Sequence, residues 1–201
     1  LISLILFLTL FFYFLIIPSE GFFNVFLLII SSISNSGISI YSSGLDISFF
    51  LILLTIVGGS LISTSSGFKY VRLYILLKIS YNEIYRIVKP TNISNKNLFS
   101  TESKIDDNDF KISFLVFILF IISIFVLSSI LSFDTLSFEN CFKLSILTLT
   151  NTVNSSSYGM DSINFLDFNS FTKIFLIFFM IVGRIEIISL LYIIKKIIFK
   201  V

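Results

Sequence analysis

The stretch Phe22-Phe23-Asn24-Val25-Phe26-Leu27-Leu28-Ile29-Ile30-Ser31-Ser32-Ile33-Ser34-Asn35-Ser36-Gly37 decides how this chain is read. Its apolar part, Phe22 to Ser32, is too short to cross a bilayer, which takes about 20 helical residues. It runs directly into small polar residues. Non-helical backbone is tolerated at membrane depth only where protein buries it or water lines it. A short apolar helix ending in Ser, Asn and Gly therefore reads either as a re-entrant element beside a pore or as a buried helix-turn-helix. The arrangement returns later in the chain. Phe138 to Leu149 is again short and apolar, and again ends in small polar residues, Thr150-Asn151-Thr152-Val153-Asn154-Ser155-Ser156-Ser157. This recurrence favours the pore.

The flanks of the two short runs also correspond. Leu1 to Ile17 is an uninterrupted apolar run closed by Pro18 and Ser19, and Ile112 to Leu131 is a clean spanning run. After the first polar loop, an apolar run from Ile47 to about Lys78 is interrupted by Gly58-Gly59-Ser60 and by Ser63-Thr64-Ser65-Ser66-Gly67. After the second, Phe171 to Phe199 is long and apolar, with Gly183-Arg184-Ile185-Glu186 inside it. The offset between the units is roughly 115 residues, too long for a solenoid period. The expected fold is an all-α membrane protein of two parallel helix–pore-helix–helix repeats, with four spanning helices and two re-entrant pore helices. The expected organisation is a third-type pore repeat over 1–78, a cytoplasmic connector over 79–110, helical as far as Val88, and a fourth-type pore repeat over 111–201. The chain starts at Leu1, inside an apolar run and without a basic leader region. It is read as the C-terminal half of a longer protein whose N-terminal repeats precede it.

Composition supports a membrane protein. Of 201 residues, 56% are hydrophobic and 13% charged, against about 25% charged in soluble domains, and mean hydropathy is +1.02. There is no His and one Cys, Cys141, which excludes imidazole bases, Ser-His-Asp triads and disulfides within the chain. No nucleophile–base pair suggests an enzyme, and no cofactor is expected. The formal net charge of +2 is too small for a nucleic-acid partner. Ala and Gln are absent while Ile, Phe, Leu, Ser, Asn and Lys abound, so the 26 Phe read as packing and lipid-facing residues.

Charge placement suggests an orientation. Lys69, Arg72, Lys78, Arg86, Lys89, Lys96, Lys104 and Lys111 lie in or beside the connector, and Lys195, Lys196 and Lys200 near the C-terminus. The other loops carry Glu20, Asp46, Asp134, Glu139, Asp161 and Asp167 against Lys143 and Lys173. The positive-inside rule makes the connector and C-terminus cytoplasmic, in a multi-pass protein of the cell inner membrane. The short helices then enter from outside. A helix ending at mid-membrane turns its negative dipole end inward, and its unpaired carbonyls can replace a cation's water shell. Gly37 supplies unusual backbone angles in the first loop. Asn154 is the expected counterpart in the second, since Asn is among the few other residues that visit the left-handed region.

At these residues a resemblance enters. Gly58 through Arg72, Gly-Gly-Ser-Leu-Ile-Ser-Thr-Ser-Ser-Gly-Phe-Lys-Tyr-Val-Arg, resembles the broken third-repeat helix of Trk-type potassium uptake proteins, the TrkH/KtrB family. Gly183-Arg184-Ile185-Glu186 resembles that family's Gly-Arg-Leu-Glu, and Asn151-Thr152-Val153-Asn154 its Asn-Asn-Leu-Gly filter loop. Arg86-Ile87-Val88-Lys89-Pro90 is similar to its basic-His-Pro ending. The departures are Asn154 for the last filter glycine, Asn35-Ser36-Gly37 for Thr-Thr-Gly, and Ile62 and Ser66 for glycines of the broken helix. The resemblance implies potassium transport through a backbone-carbonyl filter, with potassium as substrate. It also implies a homodimer and a cytoplasmic nucleotide-binding regulatory subunit.

One filter segment is expected at Ser34, Asn35, Ser36 and Gly37, another at Asn151, Thr152, Val153 and Asn154, with potassium as the only metal. The gate is expected at Arg184 and at the break carrying Gly58, Gly59, Ser60 and Gly67. A charge inside a span costs about 2.5 kcal/mol or more unless paired or hydrated. Arg184 therefore reads as a barrier beside the ion path or as half of a structural ion pair, and Glu186 as an anchoring acceptor. Gly58 to Gly67 reads as a mobile gate or as small-residue packing. Lys69 and Arg72 suit a regulatory partner, anionic membrane lipid or simple anchoring. Cys141 reads as a packing residue. The alternative to transport is a non-transporting membrane scaffold or truncated remnant, since half a filter cannot surround an ion.

Overall fold

The structure, a computed structural model, describes residues 2–15, 21–38, 45–58, 66–89, 107–134, 136–153, 158–160 and 163–185. Apolar sequence without interior Pro or Gly gives the first helix, α1 (Ile2–Leu15), and the second, α2 (Phe22–Ser34). A third helix, α3 (Leu45–Ile56), stops where the double glycine begins. There Val57–Gly58 (β1) pairs in parallel with Phe68–Lys69 (β2), Val57 opposite Phe68 and Gly58 opposite Lys69. The broken helix is thus closed by a short parallel bridge, from which α4 (Tyr70–Val88) sets out. The second half carries α5 (Asp107–Leu131), α6 (Phe138–Leu149), a 3-10 turn at Phe165–Asp167 and α7 (Ser170–Ile185).

Among the described residues, α5 is the one helix long and apolar enough to cross a bilayer. Three of its four serine hydroxyls bond back inside the helix: Ser113 donates to the Asp109 carbonyl at 2.7 Å, Ser123 to Leu119 at 2.8 Å and Ser129 to Phe125 at 2.8 Å. No water is present in a hydrocarbon layer to take these donors, so this back-bonding lets Ser replace apolar residues along the span. Phe114, Phe117, Ile118, Ile122 and Phe125 point outward and are exposed, as expected of a helix facing lipid.

The core gathers around α6, which packs on α5, α7 and α3. Cys141 and every residue from Lys143 to Leu149 are buried. Phe12 of α1, Val25 and Ile29 of α2, and Leu51 and Ile52 of α3 join the same cluster. Cys141 is wholly buried and unbridged, in keeping with packing. A central helix held on three sides fixes the loop that follows it, and that loop carries the candidate site.

Candidate functional site

The two short helices end in the same way. At the end of α2, Asn35 takes a left-handed backbone, φ 52 and ψ 39, and its amide donates to the Ser31 carbonyl. The Ser36 amide donates to that carbonyl as well, at 3.2 Å. At the end of α6, Asn151 is left-handed at φ 56. The Thr152 amide donates to Leu147 at 2.9 Å and the Asn151 amide to Thr148 at 3.1 Å. In each case a six-residue ring closes over a left-handed residue, a termination usually served by Gly and sometimes by Asn. Asn35 and Asn151 stand as far apart in sequence as Phe22 and Phe138, the first residues of the two helices.

These ends deliver the two candidate filter loops to one place. Gly37, at φ +67, faces Thr152: a Cβ there would lie 3.6 Å from the Thr152 Cα and 3.8 Å from its carbonyl carbon. The first loop is tied back to its helix, because the Ser31 hydroxyl donates to the Ile38 carbonyl at 2.6 Å and the Ser36 hydroxyl to Ser31 Oγ at 3.2 Å. The Ser34 hydroxyl reaches the Ser31 carbonyl at 3.4 Å. In the second loop, Thr150 and Thr152 share a hydroxyl contact of 2.7 Å, and both are wholly buried. Tyr158 closes over the junction, its hydroxyl 3.5 Å from Ser32 Oγ.

Ser66, just before β2, lies directly against the loops. The Asn35 side-chain amide donates to the Ser66 carbonyl at 2.6 Å, and the Asn151 amide to Ser66 Oγ at 2.8 Å. Asn151 also donates to the Met180 carbonyl of α7 at 3.0 Å. Gly67, next in chain, sits at φ +93, where a Cβ would meet the Thr55 and Ile56 carbonyl oxygens at 3.1 Å. Only glycine takes that turn without strain.

Gly183 of α7 touches α6 backbone to backbone: a Cβ there would overlap the Leu149 carbonyl oxygen. Arg184, one residue on, occupies the last described turn of α7 and is exposed. The Gly183 contact places that turn at the base of the second loop. Gly58 lies in β1. Gly59 and Ser60 of the expected gate, Asn154 of the expected filter and Glu186 lie outside the described residues. Among the described residues of the second loop, the left-handed one is Asn151, the first residue of the expected segment.

Away from the loops, Asp134 is partly engaged. Asp134 Oδ1 accepts from the Asn169 side chain at 2.6 Å, while its Oδ2 is buried without a hydrogen bond among the described residues. Asp134, Asp167, Asn140, Asn164 and Asn169 line a cavity of about 480 Å³. Lys143 is not a loop charge. It lies within α6 with its side chain 10% exposed, and its ammonium reaches the exposed Glu139 carboxylate at 2.6 Å. That hydrogen bond, reinforced by the charge, holds the Glu139 carboxyl below its usual range.

Thr150, Met180 and Leu149 are absent from the sequence-based site, and Ser66 belongs to its expected break without being one of the named gate residues. Ser66 carried one signal, a hydroxyl residue beside a glycine at a chain break. Met180 and Leu149 act through backbone carbonyls, which leave no mark in side-chain identity.

The chain is similar in structure to "Crystal Structure of the Potassium Transporter TrkH from Vibrio parahaemolyticus", with a TM-score of 0.80 and 21% sequence identity. The match covers 96% of this chain and 42% of that one, so the chain spans less than half of that protein's length. The likeness is one of fold, and this helical fold is the one seen in that membrane transporter. No protein-family model matches the sequence, and no curated protein is similar to it.

Proposed function

We propose that the chain forms half of a potassium-conducting pore of the Trk type, in which a backbone-carbonyl filter passes the ion with no covalent chemistry. The observation that carries this reading is the meeting of the two loops, Gly37 against Thr152, each loop launched from a short helix by the same left-handed asparagine turn. Two helix ends converging on one point aim two negative dipole ends and their free carbonyls there. That arrangement favours a desolvated cation. The fold likeness to a potassium transporter adds support.

In this reading 1–78 and 111–201 are parallel pore repeats joined by a cytoplasmic connector over 79–110. Ser34 to Gly37 and Asn151 to Asn154 line the ion path. The Gly58–Gly67 break and Arg184 restrict it from the cytoplasmic side. Half a ring cannot enclose an ion, so further repeats of the same protein complete the filter. A homodimer, a cytoplasmic nucleotide-binding regulatory subunit and an inner-membrane location follow from the same reading. The acidic outer positions concentrate cations at the mouth. Sodium is the competing ion, because Asn and Ser replace Thr and Gly in the filter segments.

The test is rubidium uptake in cells lacking their own potassium uptake systems, comparing this 201-residue chain with its native reading frame. Uptake from the frame that supplies the remaining repeats is the expected result. Uptake from neither, with both verified in the membrane, moves the reading to a membrane scaffold or remnant.

A further inference from the structure

Four buried hydroxyls form a chain beside the two candidate filter loops. Thr150 and Thr152 of the second loop are wholly buried, and Ser32 and Tyr158 are each 2% exposed. Ser32 lies near the end of α2, and Tyr158 follows the second loop. A hydroxyl carries one hydrogen and accepts on its oxygen, so the contacts fix the direction of the chain. The Ser32 hydroxyl donates to the Leu28 carbonyl at 3.0 Å. The Thr150 hydroxyl donates to the Ile146 carbonyl at 3.0 Å and the Leu147 carbonyl at 3.3 Å. The Thr152 hydroxyl, 2.7 Å from Thr150, is therefore the donor of that pair. Ser32 and Thr152 are left with oxygens that accept. Tyr158 faces both: its hydroxyl stands 3.5 Å from Ser32 Oγ and also engages the Thr152 side chain. We infer that Tyr158 is a positioning residue for the filter, whose one proton ties the end of α2 to the second loop and so sets the spacing at which the loops meet at Gly37 and Thr152. The inference rests on the pore reading above and adds to it a residue that determines selectivity.

Burial gives the tie its force. A buried phenol hydroxyl must find its partner in the protein, because leaving it unpaired away from water is costly. Its two acceptors belong to the two halves of the chain, one on α2 and one beyond α6, so the phenol is fully paired only with both loops seated. The tie acts on spacing rather than on the ion. The Thr152 hydroxyl is taken up by Thr150, so in the pore reading the loop meets the ion through its backbone. Carbonyls tell cations apart by their number and by the size of the ring they form, and loops that part change that size. The 3.5 Å separation from Ser32 is long for an O–H···O bond, in keeping with one proton between two acceptors. A neutral hydrogen bond of this stretched kind biases an equilibrium by about twofold, and two together by about fivefold. The permeability ratio follows the share of pores with both loops seated.

The experiment measures the rubidium-to-sodium permeability ratio in proteoliposomes and the thermal unfolding midpoint in the same lipid. It uses the protein from its native reading frame, as wild type, Tyr158→Phe, Ser32→Ala and the Ser32→Ala/Tyr158→Phe double variant. Phenylalanine keeps the buried ring and removes only the hydroxyl. Tyr158→Phe, which loses both bonds, is expected to lower the ratio by about fivefold. Ser32→Ala, which loses one, is expected to lower it by about twofold. The double variant is expected to match Tyr158→Phe alone, because without the phenol hydroxyl Ser32 has no tie left to lose. A ratio that does not fall in Tyr158→Phe overturns the tie, whether or not the midpoint moves, and makes Tyr158 a packing residue. Ser32→Ala decides the matter if Tyr158→Phe does not fold, and an unchanged ratio there overturns the tie in any case. A double variant with a ratio below that of Tyr158→Phe overturns it too. Each of these results leaves the pore reading intact. A verified wild type that carries no rubidium overturns the pore reading and the tie with it.

Discussion

Gly37 and Thr152 meet backbone to backbone, with 3.6 Å between the place a Gly37 Cβ would occupy and the Thr152 Cα. The contact joins loops far apart in the sequence, the two proposed to flank the ion path. Gly37 is there for two reasons. Its φ of +67 disfavours side chains by about 1–2 kcal/mol, and its missing side chain lets the second loop approach.

Gly37→Ala and Gly37→Val separate these reasons. Alanine fits the space at ordinary contact distance and carries only the backbone strain. Its expected effect is a loss of about 1–2 kcal/mol in stability with a modest change in selectivity. Valine adds two methyl groups against Thr152 and is expected to abolish discrimination between rubidium and sodium. A Gly37→Val protein with normal selectivity in flux assays shows that the filter lies elsewhere.

Gly183→Ala sets a methyl group against the Leu149 carbonyl. Neither backbone can move freely, because α6 is buried along most of its length. Overpacking of this kind costs about 1–3 kcal/mol. Thermal unfolding in a fixed lipid or detergent should show the lower midpoint. An unchanged midpoint removes the close contact between α6 and α7 from the account.

Asn35→Gly and Asn151→Gly should differ in stability. Both keep the left-handed turn. Asn151 loses two side-chain hydrogen bonds, to Ser66 and to Met180, each worth about 1 kcal/mol. Asn35 loses one, to Ser66. Its Oδ1 is buried without a hydrogen bond among the described residues, and removing such an atom returns a penalty of about 1–3 kcal/mol. Denaturation should therefore find Asn151→Gly clearly destabilised and Asn35→Gly near neutral. The reverse order contradicts the hydrogen-bond assignment.

Arg184→Ala tests the barrier. With a fixed positive charge removed from the base of the second loop, cation influx should rise and its voltage dependence should change. Voltage-clamped rubidium or potassium currents read both. Unchanged flux and voltage dependence assign Arg184 to anchoring.

The apolar runs locate most of the helices. Phe138 to Leu149 is a helix over the same residues, and the run starting at Phe22 gives a helix that continues to Ser34. The break at Gly58 was legible because two glycines cannot sustain a helix cheaply. Its closure by a parallel bridge was not, since pairing of Val57 with Phe68 depends on backbone geometry across the loop. Asn35 and Asn151 stood in the expected filter segments. Their side chains turn to Ser66 and to the Met180 carbonyl, contacts that long-range packing alone decides. In sequence Lys143 reads as a loop charge, because charge is a poor guide inside a short helix. Its stem is buried and its ammonium is paired with Glu139 one turn earlier.

The central claim is that a cation passes between the loops that meet at Gly37 and Thr152. Anomalous scattering from rubidium-soaked crystals of the protein from its native reading frame tests it directly. The account predicts a rubidium peak among the backbone carbonyls of Ser36, Gly37, Thr152 and Val153. Saturating rubidium with no peak there, in crystals of protein that transports it, contradicts the account.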